Sequence, residues 1–414
     1  MINPLNGRVT IRESQSSEQA DILIAGDCCP RLIAEERVLD GQAHDILAPL
    51  HDIFATADLS LIQFETPLTS DDTPITKSGP NIRCHPGTID FLHAWGGDVA
   101  LLANNHIGDF GPKAAMDTIA QLRDNGFHTV GAGENLAAAY QPLIREINGI
   151  RIGILNFAEN EFGSATPDRP GAAPLSPALN TRQISDLAKE VDCCLVVLHG
   201  GNEHNPLPSP RVVEMCRTFI DAGAAMVVNI HTHCPQGTEL WHGKPIVYSL
   251  GNFFFPERAP KADDPTNFWY LGYMVRFSID KGGATAMELI PTTFTTDADT
   301  VRPLAGKQRE GFFNYINTIS APIADMQELR GFFECWAASS GYPRAFIKPS
   351  WTPEDFDAPA PNPNLLGLRN LLTCEAHNEL VTTYLRLVEE GRRAEALARK
   401  PQLDQLGKAS FMLG

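Results

Sequence analysis

No stretch of this 414-residue chain holds the roughly 20 consecutive apolar residues that a membrane span needs. The segment from Met1 to Ala20 is polar and lacks the apolar core of a signal peptide. Basic residues are scarce: 33 Lys and Arg stand against 50 Asp and Glu, a net charge of −17. That balance argues against generic binding to nucleic acid or to an anionic membrane, and it repels a polyanion everywhere except at a metal-bearing cleft. A disulfide framework is also missing. The nine cysteines are odd in number, and Cys28-Cys29 and Cys193-Cys194 are sequence neighbours, which on a strand point to opposite faces. A reducing compartment follows, and the expected location is the cytoplasm. No internal repeat is visible. Apolar content of 43% and charged content of 20% describe an ordinary globular chain, long enough for one large domain and an appendage.

What the chain does contain is an alternation of short apolar runs and helical patterns between residues 21 and 300. The clearest helices are expected over 112–125, with Pro at the first turn, 180–190, and 210–223, with Gly at the end. Asn148-Gly149 signals a hairpin between residues 143–147 and 150–157, and His242-Gly243 plays a similar part. Residues 270–293 read as antiparallel strands. Crossovers combined with hairpins predict an α/β fold of two mixed sheets with helices outside. The polar residues 1–20 precede this domain. Residues 301–414 form a mainly helical region, with apolar positions Leu368, Leu371, Leu372, Leu380, Tyr384 and Leu387 in a stripe over 365–398. That stripe reads as a docking face on the main domain, or as a partner-binding helix. Within the region, 353–364 is Pro-rich and acidic, a linker or surface loop; with Trp351 it is a candidate for shaping access to a cleft.

Five apolar runs (22–25, 59–62, 99–102, 195–198 and 225–228) are each followed by a residue type that binds metal. In order these are Asp27, Glu65, Asn105 with His106, His199, and the pair His231 and His233. Strand ends along one sheet edge are where an α/β protein builds its site, because the frame is rigid and the edge open. Carboxylate, amide oxygen and imidazole together suit Mn, Fe or Zn. Two such ions sharing a carboxylate hold a water for in-line attack. Each residue has a plain alternative: Gly26-Asp27 as a turn, Asn104-Asn105-His106 as an Asx-turn with a surface histidine. In an extended segment His231 and His233 would point the same way and reach one metal cluster. Glu203 and His204, after Gly200-Gly201, face either substrate or solvent. Arg83 pairs with an anionic substrate or with a structural carboxylate.

In their order these blocks resemble the bacterial CapA family of poly-γ-glutamate capsule synthesis proteins, within the calcineurin-like metallophosphoesterase superfamily. The resemblance rests on Gly26-Asp27, Glu65-Thr66-Pro67-Leu68, Ala103-Asn104-Asn105-His106 with Asp109 and Gly111, His199 with Gly201 and Glu203, His231-Thr232-His233, and Tyr248-Ser249-Leu250-Gly251-Asn252-Phe253. It implies a four-layer αββα sandwich. It also implies Asp27, Glu65, Asn105, His199, His231 and His233 as ligands of two divalent ions, with His106 as catalytic acid. Three departures stand out. His199-Gly200-Gly201 replaces the family's frequent His-Trp-Gly, which opens the pocket. Asp27-Cys28-Cys29 replaces Asp-x-His, leaving Cys29 as a thiolate ligand or a packed cysteine. The membrane anchor of many relatives is missing. Two functions are compatible with these residues: hydrolysis of a phosphoester or γ-glutamyl-type amide on a small or polymeric anionic substrate, or accessory work in capsule polymer synthesis around a structural or vestigial metal. Nothing in the sequence speaks to oligomeric state.

Overall fold

The computed structural model describes residues 1–257, 264, 266–347, 352, 354 and 362–413. Trp351 and most of the stretch 353–364 lie outside the described residues. Two mixed sheets dominate. The first contains β1 (Arg8–Thr10), β2 (Ala20–Cys28), β3 (Leu59–Phe64), β4 (Val99–Leu101), β5 (His128–Val130), β14 (Asn252–Phe254), β15 (Leu271–Asp280), β16 (Gly283–Phe294) and β17 (Val301–Pro303). The second contains β7 (Leu143–Ile147), β8 (Ile150–Ala158), β10 (Cys193–His199), β11 (Met226–Ile230), β12 (Thr238–Trp241) and β13 (Lys244–Val247). A short ribbon joins β6 (Ala132–Gly133) to β9 (Gly171–Ala172).

Strand alternation sorts the layers. On β2, Ile22 and Ile24 share a core with Val197 and Val227 of the second sheet. Their neighbours Leu23 and Ala25 turn the other way, onto Leu92 and Leu122 of the helices Ile89–Trp95 and Gly111–Asp124. Helices Pro177–Leu187 and Pro210–Asp221 cover the second sheet at β10 and β11. The order is therefore helix, sheet, sheet, helix. The parallel set β2, β3, β4 and the parallel set β8, β10, β11 are buried on both faces, which is why their sequences are continuous apolar runs. Both turn signals produce antiparallel hairpins, β7–β8 and β12–β13. The middle helix begins earlier than its sequence pattern, at Pro177, which fits the first turn because it has no N–H to leave unpaired.

The polar N-terminal segment is more ordered than its composition implies. β1 pairs with β16, and Arg12 bonds Asp280 at the β15–β16 turn. Beyond residue 305 the described residues are mainly helical. Phe312 and Phe313 of helix Gly306–Ser320 are fully buried in the shared core, and each such burial contributes about 1.5–3 kcal/mol. The single helix expected over 365–398 is broken at Cys374, whose extended backbone caps a new helix, Glu375–Glu389. The break changes the phase of the stripe. Leu380 and Leu387 are buried, whereas Leu372 is 66% exposed, so it does not belong to the buried face. No helix among the described residues is long and apolar enough to cross a membrane.

Helix Glu375–Glu389 is held to the sheets by a polar junction. Arg211 bridges Glu159, at the end of β8, to Glu379, whose carboxylate also accepts from Ser209 Oγ at 2.7 Å. Glu159 accepts from the Ala376 amide at 3.1 Å, and Asn160 N–H donates to Glu375 at 2.9 Å. Arg211→Ala leaves two carboxylates without their cation. We expect it to cost about 3–5 kcal/mol, the range for breaking a buried pair, read as a lower urea midpoint. A midpoint within 0.5 kcal/mol of wild type, on that scale, would show that the junction does not secure the helix.

Candidate metal centre and its cavity

The site sits where β2, β3, β10 and β11 end. Asp27 is placed by a bulge in β2 between Ala25 and Asp27. Gly26 permits it: a Cβ there would stand 2.0 Å from the Gly251 carbonyl oxygen, so only glycine lets the chain leading into β14 approach so closely. Glu65 follows β3, Asn105 and His106 lie beyond β4, and His199 is the last residue of β10.

These side chains converge. His199 Nε2 lies 3.1 Å from Asn105 Oδ1, 3.0 Å from His231 Nδ1 and 3.5 Å from Glu65 Oε1. His199 Nδ1 and His233 Nδ1 each lie 3.6 Å from an Asp27 oxygen. Two triplets bring ligand atoms within 4.8 Å of one another: Asp27, Glu65, His199 and Glu65, His231, His233. Glu65 belongs to both. The route by which His231 and His233 arrive differs from the extended segment expected. Their φ angles are 105° and 54°, so the chain turns at both residues. Such strain persists only where the surroundings impose it. Here the His231 amide donates to Asp27 Oδ2 at 3.2 Å, and His233 Nδ1 meets Asn252 Oδ1 at 2.8 Å.

The electrostatics are those of a site built around cations. Asp27 and Glu65 are fully buried, and Asp27 Oδ1 and both Glu65 oxygens have no hydrogen-bond partner. Burial pushes the Asp27 carboxyl up to about 8, and burial followed by the neighbouring Asp27 charge raises Glu65 further. Burial also lowers His199, His231 and His233, the last to about 3, so all three are neutral imidazoles with a free lone pair. Orphaned carboxylate oxygens facing neutral imidazoles fit a divalent transition ion.

His106 stands beside the triplets, Nε2 3.9 Å from Glu65 Oε1. Its Nδ1 lies 2.7 Å from Asp109 Oδ2, and Asp109 is itself bound by Lys77 and by the Ile82 amide at 2.8 Å. Asp109 thus fixes the ring with Nδ1 protonated and leaves Nε2 for the cleft. Burial lowers the His106 pKa while Asp109 supports the charged form. Glu203 lines the same cleft, 4.0 Å from His231 Nε2. Cys29 packs against Cys84, Sγ to Sγ 3.7 Å, in the apolar cluster beneath the helices, with its thiol pKa raised by burial. Packing, not ligation, accounts for it. Arg83 departs from expectation. Ile82 turns inward, so Arg83 turns outward onto the Phe110 ring and the Asp71 carbonyl, and it does not line the cleft.

The cleft opens into a cavity of about 910 Å³. Among the described residues its cationic lining is Lys77 and Arg31, neither marked by any sequence pattern. Asp109 carried a weak signal, three residues after His106. The far wall comes from helices after residue 326, on which Leu368, Leu371, His377 and Leu380 line the space.

The capsule biosynthesis protein CapA of Bacillus anthracis is 30% identical over 238 residues, covering 55% of this chain and 56% of that protein. The PGA biosynthesis protein CapA of Bacillus subtilis is 27% identical over 261 residues, covering 62% and 67%. The chain thus spans between about half and two thirds of these relatives. A crystal structure of a 5'-nucleotidase from Candida albicans overlaps 78% of this chain and 58% of that one, at 12% identity and a TM-score of 0.38, too slight a likeness to bear on chemistry. Residues 21–257, more than half of the chain and all of the converging side chains, match the bacterial capsule synthesis protein PGA_cap model, and the chain belongs to that family.

Proposed function

We propose that this protein is a hydrolase using two divalent ions, Mn, Fe or Zn, to cleave a phosphoester or a γ-glutamyl-type amide. The observation that carries this reading is Glu65: fully buried, shared by both ligand triplets, and without a hydrogen-bond donor on either oxygen. Asp27, Glu65, Asn105, His199, His231 and His233 would hold the ions. When bound, such ions polarise the scissile group and make water a nucleophile at neutral pH. The chain's own residues do the rest. In its imidazolium form, with Asp109 holding Nδ1–H and balancing the charge, His106 would deliver the Nε2 proton to the leaving group and remain as the neutral Nδ1–H ring. Glu203 at the cleft edge orients the substrate, and the buried walls limit access of bulk water.

The names of the relatives favour a second reading, accessory work in capsule polymer synthesis with a structural metal. Metal analysis of purified protein decides first, with two ions per chain expected. A panel of phosphomonoesters, phosphodiesters and γ-glutamyl amides decides next. Fully loaded protein that turns over none of them would overturn the hydrolase reading in favour of the accessory one.

A further inference from the structure

We infer that the substrate is a small amphiphile, with its reacting phosphoester or amide at the metal centre and an apolar arm lying against the C-terminal helices. This inference rests on the hydrolase reading for the reacting end; the apolar subsite stands on its own observations. The family match ends at residue 257, yet the cavity does not. Its far wall is Trp336, Phe346, Leu368, Leu371, Leu380 and Val381, from four different helices, all outside the matched segment. A space of about 910 Å³ with one polar end and one apolar wall has the size and character of a small-molecule site, where apolar surface supplies affinity and a few polar groups fix orientation.

Asn370 and Trp336 line the cavity, and among the described residues neither Asn370 Oδ1 nor Trp336 Nε1, both shielded from solvent, has a hydrogen-bond partner. Charge argues against a long polyanion. Among the described residues the lining cations are Lys77, paired with Asp109, and Arg31, whose Nε donates to the Pro256 carbonyl and whose guanidinium lies over the Phe255 ring. Glu161, Glu203 and Glu257 also line the space and repel a run of carboxylates.

The test uses metal-loaded full-length protein and two arms. The first compares ethyl and octyl esters or amides of the same reacting group, whose leaving groups have matched pKa values. Wild type should favour the octyl substrate by about 10-fold or more in kcat/KM, since each methylene in an apolar pocket adds discrimination. Leu371→Asp and Leu368→Ser should each remove that preference through KM and leave ethyl turnover within about twofold, because the lost contact is made equally in ground and transition states. Leu372→Asp, on the exposed face one residue along, should change neither. The second arm titrates anilinonaphthalene sulfonate by fluorescence, with no turnover needed. One saturable site per chain is expected, lost in Leu371→Asp and kept in Leu372→Asp, with circular dichroism confirming the fold. An octyl preference absent from wild type, or a probe site insensitive to Leu371 and Leu368, overturns the subsite even where hydrolysis is observed. Inert wild type that still binds the probe through Leu371 removes the hydrolase reading and leaves the apolar subsite in place.

Discussion

His106→Ala is expected to lower turnover of substrates with poor leaving groups by about 10²–10⁴-fold while retaining both ions. The asymmetry follows from position. His106 Nε2 is 3.9 Å from Glu65, and Nδ1 is committed to Asp109 at 2.7 Å, so the ring belongs to neither ligand triplet. Removing it deletes a proton donor and leaves the ligand set intact. Activated esters, whose leaving groups depart without a proton, should be affected far less. His231→Ala makes the contrast: its ring touches His199 at 3.0 Å and belongs to a triplet, so metal content and activity should fall together. Metal stoichiometry and rates on a matched pair of good and poor leaving groups check both variants. Equal losses on the two leaving groups, or loss of an ion from His106→Ala, would remove the general-acid role.

Much of this site was legible before any coordinates, for a physical reason. A strand buried on both faces is a largely apolar run, so its end is visible where polar residues return, and Asp27, Glu65 and His199 stand at or just past that point, Glu65 after the buried Gln63. The layer order was equally legible, because crossovers and hairpins leave different turn signals. Backbone conformation was not. His231 and His233 adopt positive φ through contacts with Asp27 and Asn252, which lie far away in sequence. The orientation of Arg83 was hidden too, because a loop has no period from which to read inside and outside. Leu371 and Leu372 are both leucines in one helical stripe, yet one lines the cavity and the other is 66% exposed. An amphipathic pattern says that a face must be covered and does not say by what; Cys374 reset the phase by opening a new helix.

Removing the ions should destabilise the protein by an amount that grows with pH, and Glu65→Gln should abolish most of that growth. Without cations, two fully buried carboxylates face each other; burial holds Asp27 at about 8, and burial with the Asp27 charge raises Glu65 well above the ordinary carboxylate range. Unfolded carboxyls titrate near 4. The folded pKa values are therefore raised, so the stripped protein binds protons more tightly folded than unfolded. The stability that these two carboxyls contribute is fully present below about pH 4 and is lost as pH rises through about 8, while the three buried neutral histidines act in the opposite sense as pH falls below about 6.5. Bound cations replace those protons and cancel the penalty, and they add the linkage stabilisation of any ligand specific to the folded state. The difference in Tm between loaded and chelator-treated protein should thus be small at pH 5, where protons also compete for the ligands, and large at pH 8. Glu65→Gln gives a reversal of sign. Stripped, it should be more stable than stripped wild type at pH 8, because one buried charge is gone and an amide donor now faces Asp27. Supplied with metal, it should gain little. A stripped Glu65→Gln whose Tm changes between pH 5 and 8 as wild type's does, or which is less stable than stripped wild type at pH 8, would mean that these carboxylates are not held apart from water as a cation site.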